Sequence, residues 1–383
     1  MKKVKILHNF IIIGFFFFNL LFMQNCCDCQ KSNFKFYPPT KNRFPLLEIT
    51  GKHYQIGYAI GRYFKKEIHT SFKIRKTWFK TLKSYIKKDN HQIFLSLKAK
   101  AEAYFPHLID ELSGMAAGSG IPFDDLFLLN IKAEVSAKNA SEEEPPGCST
   151  IHLITGKQKW LFHNEDGNIA YRNLMFIVKA TVPSGVTFLT LCYPGYLMGN
   201  GPSLNSHGLI QTTNFISGLN CKNGIPRYFL GRAVLEAISL DDALRIATHP
   251  DRAFAYHHNL ASFSENRILS LEVTPDNYHL KEPDFIYVHT NHLILDQTKS
   301  FPQETEYVNL SSISRYDVIT NAIHKLSGVK QIGTEDIFKI LSSHRNSPYS
   351  PCRHPSGDVR GITLATAVID VSKGRMTLYK GNP

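Results

Sequence analysis

An α+β fold is predicted by the order in which two hydrophobic periods run along the chain. Before residue 140 apolar residues recur every third or fourth position, whereas after residue 147 they fall in short strand-like runs joined by turn residues, with no internal repeat. The 383 residues are 43% hydrophobic and include 26 Phe and 17 Tyr, enough for a substantial core and against a disordered chain.

Residues 1–30 begin with Lys2, Lys3 and Lys5, continue through an apolar run from Phe10 to Met23 broken by Gly14 and Asn19, and end with Cys26, Cys27 and Cys29. A spanning helix needs roughly 20 apolar residues, and this shorter run follows a basic stretch, so residues 1–27 read as an export leader. Its end admits two readings. One is plain signal cleavage; the other is a lipid anchor at Cys26 or Cys27, although Met23-Gln24-Asn25 departs from the small residues that usually precede a lipidated cysteine. Both predict an exported protein: periplasmic, membrane-anchored or secreted.

Residues 31–45 are polar and proline-bearing and read as a tether, with the globular part starting near Leu46. Ile56, Ile60, Phe64 and Ile68 repeat every four positions, one face of a helix over 53–79. Leu108, Leu112 and Met115 mark a second helix over 101–117, stopped by Gly118-Ser119-Gly120. A third starts at Pro122, with Asp124 and Asp125 at the positive end of its dipole. The charged, proline-closed segment 141–146 reads as an exposed loop. Strands follow at 149–154 and 159–163 about Gly156-Lys157, and at 174–181 and 186–191 about Pro183-Ser184-Gly185. Helices are expected over 227–238 and 239–248, the latter capped by Ser239. A strand at 268–273 and a hairpin of 362–370 with 375–379 complete the series.

The formal charge is +12, of which residues 1–30 carry +2, so the basic bias belongs to the body. No run of five Lys or Arg and no nucleic-acid module accompanies it, so it reads as solvated surface with no nucleic-acid partner. Seven cysteines without a repeated Cys-x-x-Cys pair exclude a zinc ribbon, and no glycine-rich phosphate loop is present.

The chemistry-bearing candidates are four. Cys148, in Pro146-Gly147-Cys148-Ser149-Thr150, stands where the charged loop meets the first strand and is either a core residue or a nucleophile. Asp166 follows 18 residues later, one hairpin's length, and is either part of a turn or a carboxylate returning beside the cysteine. Asn291, in Val288-His289-Thr290-Asn291-His292, offers a side-chain N–H to a developing oxyanion. Arg353, between Pro351 and Pro355, is either a loop arginine or a partner for a carboxylate or oxyanion.

Ordered blocks across residues 46–370 resemble the acyl-coenzyme A:isopenicillin N acyltransferase family of N-terminal-nucleophile (Ntn) hydrolases, which includes hydrolases of β-alanyl amines. These blocks are Gly51-x-His53-Tyr54-x-x-Gly57, Glu111-Leu112-x-Gly114-Met115-Ala116-x-Gly118-x-Gly120, Asp124-Asp125-Leu126-x-x-Leu129-Asn130 and Gly147-Cys148-Ser149-Thr150. They continue with Asn164-x-Asp166, Asn205-Ser206-x-Gly208-Leu209, Ile225-Pro226-Arg227, His258-Asn259, Thr290-Asn291-His292 and Cys352-Arg353-His354.

The resemblance implies an αββα sandwich of two antiparallel sheets between helical layers. It implies a precursor that cuts itself at Gly147-Cys148 into a mostly helical segment, 28–147, and a catalytic chain, 148–383, that keeps the first as its partner. Cys148 would then be the nucleophile and its freed α-amine the base. Asp166 would match the family's carboxylate, Asn291 its oxyanion-hole amide and Arg353 its basic residue. The substrate would be a small acyl-amide or acyl-thioester, with no metal or organic cofactor required.

Two departures stand out. Glu165 occupies a place where many members carry an aromatic, which would alter the pocket wall. Cys352 stands where a serine is also seen, as a structural thiol or a disulfide partner. The leader further argues against a penicillin substrate. Two competing readings are an inactive exported binding protein of the same fold and a conventional cysteine peptidase with His258 or His292 as its base.

Overall fold

A computed structural model describes residues 33–88, 90–136, 147–326 and 332–382. The leader with Cys26 and Cys27, and the 141–146 loop, lie outside the described residues. Their assignments therefore stand as expectations.

Residues 31–45 are more than a tether. Phe34 and Phe36 alternate along strand β1 (Asn33–Tyr37), which pairs antiparallel with β2 (Leu46–Thr50) and lays both rings against Tyr63 and Phe64. The four-residue apolar repeat produces the expected helical face, broken into α1 (His53–Tyr63), α2 (Lys65–Ile74) and α3 (Lys76–Lys88), with Ile56, Ile60, Phe64 and Ile68 all buried. The second expected helix begins earlier and is divided into α4 (His91–Tyr104) and α5 (Pro106–Ser119). Pro106 causes the break: it cannot donate to the preceding turn and restricts Phe105, so α4 ends and α5 starts with proline at its first position.

α5 stops at Gly120, whose φ of 77° is the left-handed C-cap that the Gly-Ser-Gly run foretold. α1 and α5 cross with their backbones nearly touching. A methyl group on Gly57 would land on the Glu111 carbonyl oxygen, and one on Gly114 on that of Tyr54. The glycines of the two N-terminal blocks are thus explained by helix–helix approach.

α6 (Phe123–Asn130) and α7 (Lys132–Ser136) complete the N-terminal helices among the described residues. Then come the hairpin β3 (Gly147–Thr155) and β4 (Gln158–Asn168), the pair β5 (Phe176–Thr181) and β6 (Thr187–Cys192), and β7 (Ser203–Asn205) with β8 (Leu209–Asn214). Helix α8 (Arg227–Val234) is shorter than the expected 227–238. α9 (Leu240–Ala247) is capped as expected by Ser239, whose hydroxyl accepts from the Asp242 N–H at 3.1 Å. The remainder is β9 (Tyr256–Ser262), β10 (Arg267–Val273), β11 (Tyr278–Lys281), β12 (Ile286–His289), α10 (Ser314–Lys325), α11 (Thr334–Leu341) and the last hairpin, β13 (Gly361–Asp370) with β14 (Arg375–Lys380).

The strands form two sheets, ordered β1-β2-β5-β6-β7-β8-β9-β10-β11 and β12-β3-β4-β13-β14. Neighbours are antiparallel except β2 and β5. That one parallel pair joins the segment before Cys148 to the segment after it within a single sheet.

Leu161, Ala367 and Ile369 of the smaller sheet pack against Ile210, Ala261 and Ile268 of the larger, so the sheets stack face to face. On its outer face the smaller sheet presents Ile151, Leu153 and Phe162 to Ile319, Ile337 and Leu341 of α10 and α11. The larger sheet buries its outer face against the N-terminal helices and α8 and α9. The four layers are helix, sheet, sheet, helix: an αββα sandwich. No helix among the described residues is long and apolar enough to cross a membrane.

Candidate active site

Strand alternation decides which side chains meet. In β3, Ile151 and Leu153 face the outer helices, while Thr150 and His152 face the larger sheet, bonding Asn214 at 3.1 Å and Asn259 at 2.9 Å. Cys148 shares the phase of Thr150 and His152 and so enters the inter-sheet space at the strand's start. The β3–β4 register sets Cys148 opposite Glu165 and Gly147 opposite Asp166.

The thiol therefore meets Glu165, with Sγ 3.7 Å from Oε1. The same carboxylate accepts from the Tyr193 hydroxyl at 2.7 Å and lies 3.2 Å from His163 Nε2. Glu165 is buried beside the thiol. Asp166 projects to the opposite side, towards Gly147. Its Oδ1 accepts from the Thr363 hydroxyl at 2.8 Å, and its Oδ2 is buried without a hydrogen-bond partner among the described residues. Burial pushes the Asp166 carboxyl up to about 6, against the lowering pull of Arg315 and Arg353.

Asn291 lies just beyond β12, whose His289 pairs with Thr150, and this register carries the amide to the start of β3. The Cys148 backbone N–H donates to Asn291 Oδ1 at 2.9 Å. Arg315 Nη2 donates to the same oxygen at 2.6 Å, and Asn291 Nδ2 donates to the Phe215 carbonyl at 2.9 Å. A guanidinium can only donate and a carbonyl only accept, so this fixes the amide's orientation. The N–H expected to face an oxyanion points to Phe215, and the oxygen faces Cys148.

Arg315 was not visible as a site residue in the sequence. It sits on α10 among polar residues without a motif, and only the tertiary docking of that helix brings it to Cys148. Fully buried, it donates through Nη1 to the Cys148 carbonyl at 2.5 Å and the Ser149 hydroxyl at 2.9 Å. Arg353, the arginine the sequence singled out, is buried on the segment beside β13. Its backbone N–H donates to the Thr363 hydroxyl at 3.0 Å, and its charge is felt by Asp166. All four expected residues thus converge on the start of β3, joined by Arg315, Glu165, Tyr193 and His163.

Burial raises the Cys148 thiol well above its ordinary value, Glu165 and Asp166 raise it further, and Arg315 opposes them. Cys148, His163 and Glu165 bring ligand atoms within 4.8 Å of one another, so this cluster could also take a soft metal ion. The two histidines considered as peptidase bases turn elsewhere. His258 Nδ1 lies 3.3 Å from Gln211 Oε1, and His292 Nδ1 lies 2.8 Å from the Ser312 hydroxyl. Burial lowers them to about 3 and about 4. The nearby histidine is His163.

The four layers are the αββα sandwich of the Ntn-hydrolase fold. The model of the acyl-coenzyme A:6-aminopenicillanic acid acyl-transferase family matches residues 154–383, and the chain belongs to that family: it is an amide hydrolase or acyltransferase. Asp166, Asn291, Arg315 and Arg353 fall inside the match, and Cys148 six residues before it. The chain is 28% identical over 373 residues to the β-alanyl-dopamine/carcinine hydrolase of Drosophila melanogaster, covering 90% of this chain and 95% of that protein. Among solved structures it is similar to the Caenorhabditis elegans ortholog of N-acylethanolamine-hydrolyzing acid amidase, at 15% identity and a TM-score of 0.41 over 59% of this chain and 93% of that one. It is also similar to a variant of the conjugated bile acid hydrolase from Clostridium perfringens, at 14% identity and a TM-score of 0.39 over 61% and 92%.

Proposed function

We propose that this protein is a precursor that cleaves its own Gly147-Cys148 bond, and that the freed chain hydrolyses or transfers the acyl group of small β-alanyl amides through a thioester on Cys148. One observation carries the reading: the Cys148 backbone nitrogen is already held by Asn291 Oδ1 while Arg315 grips the Cys148 carbonyl and Asn291 alike. Cleavage turns that nitrogen into an α-amine whose ordinary pKa near 8 suits a base working at neutral pH.

In the first step the thiol adds to the Gly147 carbonyl carbon and the C–N bond breaks. The Cys148 nitrogen takes up a proton as it leaves, and water hydrolyses the resulting thioester. In turnover the α-amine accepts the thiol proton as Sγ attacks the substrate carbonyl, and the proton passes to the departing amine. Asn291 Oδ1 orients the α-amine, and the Arg315 charge favours the thiolate. Water or a second amine then resolves the thioester.

Glu165 supports the β-alanyl class. A β-alanyl group carries its ammonium three bonds from the reacting carbonyl carbon, and a buried carboxylate 3.7 Å from the thiol is placed to receive it. The similar Drosophila protein is named as a hydrolase of β-alanyl-dopamine and carcinine. With a butyryl amide as the uncharged isostere, Glu165→Gln should lower kcat/KM for the β-alanyl amide roughly tenfold to a hundredfold more than for the butyryl amide, as loss of a charged hydrogen bond requires. An equal fall for both would remove Glu165 from acyl recognition.

The deciding experiment is intact mass with N-terminal sequencing of wild type and Cys148→Ala. The expected result is two wild-type fragments, one beginning at Cys148, and an uncut mutant. The first fragment's N-terminus also tests the proposed export leader. An uncut wild type that is folded and active would favour a conventional thiol hydrolase, with His163 as the histidine in reach.

A further inference from the structure

The segment carrying Arg353 has a second feature that the reaction does not use. Cys352 and His354 are two residues apart on the irregular segment before β13, and Sγ lies 3.7 Å from His354 Nε2. His344 is brought over them by the pairing of its own segment. The Cys352 N–H donates to the Ser343 carbonyl at 3.0 Å, and His344 Nδ1 lies 3.1 Å from the Cys352 carbonyl oxygen. The rings of His344 and His354 have centroids 4.6 Å apart. One ligand atom from each of His344, Cys352 and His354 falls within 4.8 Å of the other two.

We infer that His344, Cys352 and His354 form a site for a borderline-soft divalent cation of the zinc class, next to the active centre. Three observations carry it. The donor set is one thiol and two imidazoles, the mixture such a cation prefers over alkaline-earth ions. The distance fits as well: tetrahedral zinc with ordinary Zn–S and Zn–N bonds sets sulfur and nitrogen about 3.6 Å apart, close to the 3.7 Å found. The third is the outer contact of His344. A carbonyl oxygen cannot donate, so Nδ1 carries the proton and Nε2 is left with the lone pair, the arrangement that orients metal-binding histidines.

Access is built in, because the thiol is buried while both histidines are exposed. Cys352 is a free thiol with no disulfide among the described residues. The cation would clamp the residues on both sides of Arg353 and tie them to the 343–344 segment.

Co²⁺ serves as the probe, since a cobalt–thiolate bond absorbs in the near ultraviolet. The full chain should take up Co²⁺ with that band, and Zn²⁺ should displace it. Cys148→Ala should keep the band, which separates this site from the cluster at the active cysteine. Cys352→Ser should lose it. His344→Ala and His354→Ala, at exposed positions that leave folding intact, should each weaken binding by about tenfold or more. A band that survives Cys352→Ser, disappears in Cys148→Ala, is indifferent to both histidine variants, or never forms in excess Co²⁺ overturns the inference. The readout is independent of activity, so failure of the proposed reaction leaves it interpretable.

Discussion

Two fully buried arginines, Arg232 in the helical layer and Arg315 at the start of β3, meet opposite surroundings. Arg232 donates through Nε and Nη2 to both oxygens of Glu111, at 3.0 and 2.8 Å, and lies 3.0 Å from Glu236; Glu111 also meets His53 at 3.2 Å. Burial alone would raise the Glu111 carboxyl, but the Arg232 guanidinium and His53 hold it below its usual range. Arg315 touches only neutral acceptors among the described residues, namely the Cys148 carbonyl, Asn291 and two serine hydroxyls. Its charge reaches Asp166 and the Cys148 thiol across space. A buried charge neutralised by contact fastens the scaffold, whereas one left without a carboxylate in contact retains a field that can act on a reacting group.

The largest effect should come from breaking the first cluster. Arg232→Met takes the guanidinium from buried Glu111, leaving it only His53, and should cost about 3–5 kcal/mol in denaturant unfolding, with self-cleavage of the folded molecules unchanged. Lost cleavage at full stability would erase the contrast. Arg315→Met should do the reverse. Removing a donor and a positive charge beside the reacting groups should slow self-cleavage by about 10² to 10³, with less loss of stability than Arg232→Met. Gly57→Ala tests the helix crossing that supports Glu111. The added methyl meets backbone and should cost about 1–3 kcal/mol without changing the rate per folded molecule.

The smallest effects are in pH dependence, and the two carboxyls have opposite signs. Asp166 has a folded pKa of about 6 against an ordinary 3.8, so its contribution to stability is fully present below the ordinary value and is lost as pH rises through 6. Glu111 is lowered, so its contribution is present above its ordinary value and is lost as pH falls through the folded one. Asp166→Asn should flatten the stability curve between about pH 4 and 6. If ionised Asp166 is needed for turnover, the acid limb lies near pH 6, and Arg353→Gln moves it upward because a cation that lowers Asp166 has gone. A limb that stays in place would detach Asp166 from the rate.

The sequence by itself determined the local features. Four-residue apolar spacing marked the buried face of α1 and α2, turn glycines placed the hairpins, Ser239 capped α9, and the Gly-Cys step marked the start of β3. These rest on interactions within a few residues, where period and backbone preference suffice. It was also enough to nominate Cys148, Asp166, Asn291 and Arg353. What it missed depended on longer reach: β1 is a strand because its rings find Tyr63 and Phe64, and Arg315 became a site residue when α10 docked. Tertiary structure also separated adjacent carboxylates, turning Glu165 to the thiol and Asp166 to Gly147, because neighbouring residues on a strand point to opposite faces and only the register decides which face is occupied.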